Sequence, residues 1–95
     1  MLEHEPQLSF RDSINVGQIL SPEQAFAILQ QFHDADTEDL NRSFPQLREF
    51  KGEVTFEIGS SRGQKCIIMR GIENNTPKWS YNLDTTTGSK IAKIG

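Results

Sequence analysis

The second half of the chain, from Glu53 to Ile94, constrains the fold most, because four short apolar runs recur there between turn residues at nearly even spacing. That pattern predicts a four-stranded antiparallel meander. The first run, Glu53-Val54-Thr55-Phe56-Glu57-Ile58, alternates strictly, so Val54, Phe56 and Ile58 share one face and the polar residues take the other. The second, Lys65-Cys66-Ile67-Ile68-Met69, is continuously apolar from Cys66 and reads as a central strand covered on both faces. Ser60-Ser61-Arg62-Gly63 joins the two. A longer loop, Glu73-Asn74-Asn75-Thr76-Pro77, leads to Lys78-Trp79-Ser80-Tyr81-Asn82-Leu83, where Trp79, Tyr81 and Leu83 fall on one face. Asp84-Thr85-Thr86-Thr87-Gly88 is a hairpin turn with Gly88 placed for a positive φ, and Ser89 to Ile94 forms the last strand.

A sheet that is apolar on one face needs a cover. Ser21-Pro22-Glu23-Gln24 is a strong helix start: the Ser21 hydroxyl caps, Pro22 suits a position whose N–H would be unpaired, and Gln24 completes a capping box. Ala25, Ile28, Leu29 and Phe32 then recur at helical spacing, with Phe26 on the flank, and the stripe ends near His33. Asp36 or Thr37 caps a shorter helix through Leu40 to Ser43, which Pro45 terminates. Leu40, Phe44, Leu47 and Phe50 read as anchors for the connection to the sheet. Residues 8 to 16 alternate weakly, with a register slip at Asp12, and are read as an extra edge strand or extended arm. The expected fold is α+β: an N-terminal helix and a short second helix packed on a four-stranded antiparallel β-meander.

With 95 residues there is material for one core only, so residues 8–95 are read as a single domain and residues 1–7, which lack an apolar run, as a flexible tail. One cysteine, Cys66, excludes an intramolecular disulfide framework. No stretch approaches the roughly 20 apolar residues of a membrane span, and the start lacks a signal-peptide pattern, so the expected location is cytoplasmic.

The helix start Ser21-Pro22-Glu23-Gln24-Ala25 and the closing segment Tyr81-Asn82-Leu83-Asp84-Thr85-Thr86-Thr87-Gly88-Ser89-Lys90-Ile91 together resemble the PepSY domain family, whose opening helix and final Asp-x-x-Thr-Gly hairpin they match. The resemblance implies a non-catalytic module that restrains peptidases or holds a protein partner, and it brings no catalytic residues with it. The connection from Asp34 to Phe50 is longer than in that family. A helix laid across an antiparallel sheet is also similar to the cystatin arrangement, without the glycine-bearing inhibitory loop.

The chemistry-bearing residues do not assemble into an active site. Cys66 with His33 is the one nucleophile and base pair, yet Cys66 leads into a buried strand, where a cysteine is a small core residue. His4, His33, Asp34, Asp36 and Glu38 lack the close His or Cys company of a zinc site, and caps and solvation account for them. The expectation is therefore a non-enzyme with no metal and no cofactor. A small binding or regulatory protein of inhibitor type, working through protein–protein contacts as a monomer or weak homodimer, is the first reading. Arg62, Asn74, Asn75 and Trp79 are its contact candidates, because they lie on or beside the longer loops.

The alternative is a single-stranded nucleic-acid module. Residues 1–50 hold three basic residues against nine acidic, whereas residues 51–95 hold seven against four. The sheet half is thus basic, and Lys65, Arg70, Lys78 and Tyr81 would be its contacts, with Trp79 beside them for base stacking. Against it, Trp79 and Tyr81 share a face with Leu83, which points that face inward.

Overall fold

A computed structural model describes residues 9–91, which form two helices and a four-stranded antiparallel sheet. Strand β1 (Ile19–Leu20) leads into helix α1 (Pro22–His33) and helix α2 (Thr37–Ser43), followed by β2 (Glu53–Ser61), β3 (Gln64–Glu73) and β4 (Thr76–Leu83). The strands lie in the order β1-β2-β3-β4. The expected tail, residues 1–7, lies outside the described residues.

Local chemistry fixes both helices where the sequence places them. Ser21 Oγ accepts the Gln24 N–H at 3.1 Å while Gln24 Oε1 accepts the Ser21 N–H at 2.9 Å, so two orphan donors are satisfied reciprocally. The helix ends where Asp34 turns left-handed at φ 51° and donates its N–H to Gln30 O. Asp36 Oδ1 caps α2 by accepting the Asp39 N–H at 2.8 Å. Ala25 and Leu29 are fully buried on α1, with Ile28, Phe32 and Phe26 half-buried beside them. Leu40, Phe44 and Leu47 pin the connection to the core as expected, and Phe50 packs at its edge.

The inner face of the sheet carries Val54 and Phe56 from β2, Ile67 and Met69 from β3, and Leu83 from β4, all at 0% exposure. Burying side chains of this size stabilises by about 1.5–3 kcal/mol each. Ile58 departs from the expectation. It keeps the parity of Val54 and Phe56 but is 41% exposed. A helix of 12 residues spans about 18 Å, whereas a strand of nine spans about 30 Å. The cover is shorter than the strand it covers, and Ile58 lies toward the β2–β3 turn.

Three further expectations are corrected. Glu73 to Pro77 is not a long loop: Glu73 pairs with Thr76 across a two-residue turn, with Asn74 at φ 54° and Asn75 at φ 62°. Asparagine tolerates the left-handed region that such a hairpin turn requires, so the loop collapses to its minimum. The fourth strand is β1, on the far edge, rather than residues 89–94. After the Asp84 turn the chain makes one bridge, Leu83 with Lys90, and Ile91 donates its N–H to Asn82 O, while residues 92–94 lie outside the described residues. Residues 9–16 are not a strand either. Ser9 and Asp12 bond each other's side chain and backbone, curling Arg11–Ser13 into a 3₁₀ turn that buries Phe10 and Ile14. Phe10 then docks by donating its N–H to Thr86 O at 2.9 Å and by placing its ring 5.2 Å from Phe32 and 5.8 Å from Phe56.

Candidate protein interface

The hairpin geometry of β2 and β3 decides which backbone groups of β2 face outward. Ser61 pairs with Gln64 across the two-residue turn Arg62-Gly63, whose φ angles are 57° and 77°. In such a hairpin the closing pair is hydrogen-bonded, so Ser61, Gly59, Glu57 and Thr55 direct their N–H and C=O at β3. Val54, Phe56, Ile58 and Ser60 direct theirs away. The bond from Gly17 N–H to Phe56 O at 2.9 Å has this sense.

β1 covers only the start of that outward edge. Its two residues pair with Val54 and Thr55, Gly17 adds the bond to Phe56, and at Gly17 the backbone turns with φ 86°, which an L side chain rarely adopts. Among the described residues no strand lies on the outward side of Ile58 and Ser60. The large hydrophobic side chains exposed among the described residues are Val16 (40%), next to Gly17; Ile19 (61%), which pairs with Thr55 and so lies on the other face of the sheet; and Ile58 (41%), on the open stretch itself. The one charge on that stretch, Glu57, is paired with Arg70 at 3.3 Å and accepts the Thr55 hydroxyl. Gly59 sits at its centre, where a Cβ would run into the Ile68 side chain.

The contact candidates fall in different places. Arg62 is in the β2–β3 turn and the Asn74-Asn75 pair is in the β3–β4 turn, at opposite ends of the ten-residue strand β3. Trp79 lies over Gly71 on the inner face, with Phe50 5.2 Å and Tyr81 5.5 Å away. Its Nε1 is buried with no hydrogen-bond partner among the described residues. Of the nucleic-acid set, Lys65 and Arg70 lie on opposite faces of β3, being five residues apart in a strand. Lys78 occupies the irregular register opposite Gly71 and Ile72. Tyr81 is packed edge-on to Phe44 at 5.2 Å, its hydroxyl accepts the Gln46 N–H, and Lys90 Nζ lies 5.5 Å above its ring. These cations and rings do not share one surface.

Cys66 is fully buried, as its place in the strand predicts. His33 holds its Nε2 3.1 Å from Gly88 O at the mouth of an open cleft whose walls include Ser9, Ser13, Thr86 and Thr87. The hydroxyls there are engaged locally: Ser9 donates to Asp12 and Ser13 to Ser9 O. Asp84 Oδ2 accepts the N–H groups of Thr86 and Thr87, each at 2.9 Å, and these bonds, that of Thr87 foremost, hold its carboxyl below the ordinary value of 3.8. Among the described residues no group of three or more His, Cys, Asp or Glu is placed to hold a metal, and no helix is long and apolar enough to cross a membrane.

Sequence reasoning missed the exposure of Ile58 beside an open strand edge. The signal available was the run Ile58-Gly59-Ser60-Ser61, which has neither the proline nor the lysine that guards a free strand edge. Comparison with family descriptions, with curated proteins and with solved structures finds no match to this chain.

Proposed function

We propose that the chain is a small non-enzymatic binding protein that works by accepting an extended strand of a protein partner on the open edge of β2. The observation that carries this reading is the coincidence of two independent features at one place. Ile58 and Ser60 present backbone donors and acceptors on the side away from β3, where no strand lies among the described residues, and Ile58 adds an exposed apolar side chain at the same place. Strand addition uses this combination: main-chain bonds supply affinity and alternate side-chain contacts supply selectivity. A partner-holding role is also what the PepSY resemblance implies.

Selection from displayed random heptapeptides, followed by mapping of amide chemical shifts on the full chain, tests it. Selected peptides are expected to shift the amides of Ile58, Ser60 and Gly17 most. Selected peptides that map to the His33 cleft or to the outer side of β4, or a selection that yields no binder, would overturn the reading.

A further inference from the structure

We propose that the strap of residues 9–14 and the turn of residues 84–89 are one flap, which opens as a unit while the sheet stays folded and forms the moving side of the cleft beside His33. The backbone hydrogen bonds of the two segments carry this inference. Phe10 and Arg11 donate their N–H groups to Thr86 O at 2.9 Å and Thr85 O at 2.8 Å, while those of Asp12 and Ser13 return to Ser9 O and Phe10 O. Within the turn, Gly88 donates to Asp84 O, Asp84 donates to Ser89 O, and the Asp84 carboxylate accepts from Thr86 and Thr87. Among the described residues, none of these backbone groups bonds to α1 or β2. The strap and the turn are therefore tied to each other more closely than to the core.

What ties the pair to the core is a short set of contacts. His33 Nε2 lies 3.1 Å from Gly88 O, the Phe10 ring packs 5.2 Å from Phe32 and 5.8 Å from Phe56, and Ile14 is buried. Both segments also have fixed roots. The strap rejoins the sheet at Gly17, whose φ of 86° and open surroundings suit a hinge and whose N–H holds Phe56 O. The turn leaves from the fully buried Leu83, and the chain is held again at the Leu83–Lys90 bridge. A unit bonded internally and docked by few contacts opens at lower cost than the whole fold. The flap supplies Ser9, Ser13, Thr86 and Thr87 to one side of the cleft, and α1 supplies Phe32 and His33 to the other. Opening thus widens the cleft and uncovers the apolar place that Phe10 fills.

Amide hydrogen exchange of the full chain, followed residue by residue by NMR at neutral pH, tests this. Ser13 and Gly88 report separately on strap and turn, because the N–H of each bonds within its own segment. In the parent chain the two are expected to share one opening constant, at least about tenfold larger than that of Thr55 and Arg70, which pair across β2 and β3. Asp84→Asn, which alters the turn alone, is expected to speed exchange at Ser13 and Gly88 by a common factor of about five. Phe10→Leu, which alters the strap alone, is expected to speed Gly88 as much as Ser13. Unequal opening constants in the parent chain, or a variant that speeds only its own segment, would overturn the flap, because strap and turn then open separately. Exchange at Ser13 and Gly88 as slow as at Thr55 overturns it as well, because nothing then opens short of unfolding. The parent measurement stands without either variant.

Discussion

The two edges of this sheet are built differently. β4 begins Thr76-Pro77-Lys78, so its free side opens with a residue that has no N–H and another that carries a charge, and its far end is bridged at Leu83 by the returning chain at Lys90. β2 runs out from under β1 as Ile58-Gly59-Ser60-Ser61, with no proline, no lysine and, among the described residues, no bridge. Free edges invite strand pairing, and proteins blunt those that are not used. The difference marks the β2 edge as the side on which pairing is tolerated. It also predicts that stability and binding are carried at opposite edges.

The largest expected effect tests that division. Trp79→Ala on β4 removes the ring that packs on Phe50 and lies over Gly71, and is expected to cost about 3 kcal/mol by denaturant unfolding, at the low end for a large aromatic because the ring is half-buried. Removing a group whose Nε1 has no partner among the described residues sacrifices no hydrogen bond with them, so the loss is one of packing. A cost below about 1 kcal/mol would mean that the β4 edge is no better anchored than the other.

Next in size is Asp84, which closes the turn that carries the chain back to β4. Its carboxylate is held by two backbone N–H groups, and Gly88 and Ser89 close the turn by bonding Asp84 O and accepting its N–H. Because its folded pKa is lowered from 3.8, the stability it contributes is fully present above that value and is lost as pH falls through the folded one. Asp84→Asn, which keeps the size but not the charge, is expected to cost about 1 kcal/mol at neutral pH, a low figure because the carboxylate is near solvent. It should also flatten the acid limb of the stability curve. Protection of the Ile91 amide, which bonds Asn82 O, should fall over the same acid range, since this cover of β4 depends on the turn.

Much of the fold was legible because it is local. The Ser21 to Gln24 capping box, the Ala25 to Phe32 stripe and the β2 alternation each depend on residues within seven positions of one another, and each, Ile58 apart, lies where its chemistry puts it. What was not legible depends on long-range fit. β1 is two residues long and has no periodicity to announce it; it exists because residues 17–20 happen to run beside Val54 to Phe56. The exposure of Ile58 follows from a helix too short for its strand, which a period cannot reveal. The candidate edge is harder still. Its residues were visible, but whether Ile58-Gly59-Ser60-Ser61 is internal or free is settled by which strand lies outermost.

The β2–β3 turn offers a smaller effect of opposite sign. Arg62 stands at φ 57°, where a residue with an ordinary side chain is strained, while the β3–β4 turn meets the same need with Asn74 and Asn75. Arg62→Asn is expected to raise stability by about 0.5–1 kcal/mol in the same unfolding assay. A loss instead would show that the interactions of the Arg62 side chain outweigh the strain of its backbone.

The smallest expected effect on stability is the one that bears most on function. Ile58→Lys replaces a side chain that is 41% exposed and keeps the outward backbone groups intact, so unfolding should change by no more than about 0.5 kcal/mol. Binding of an added strand should nonetheless fall at least tenfold, because lysine both removes apolar contact and guards the edge as Lys78 does on β4. Titration of the variant with peptides selected on the parent chain measures this directly. Unchanged affinity with unchanged stability would remove Ile58 from the interface and leave the asymmetry of the two edges without a functional meaning.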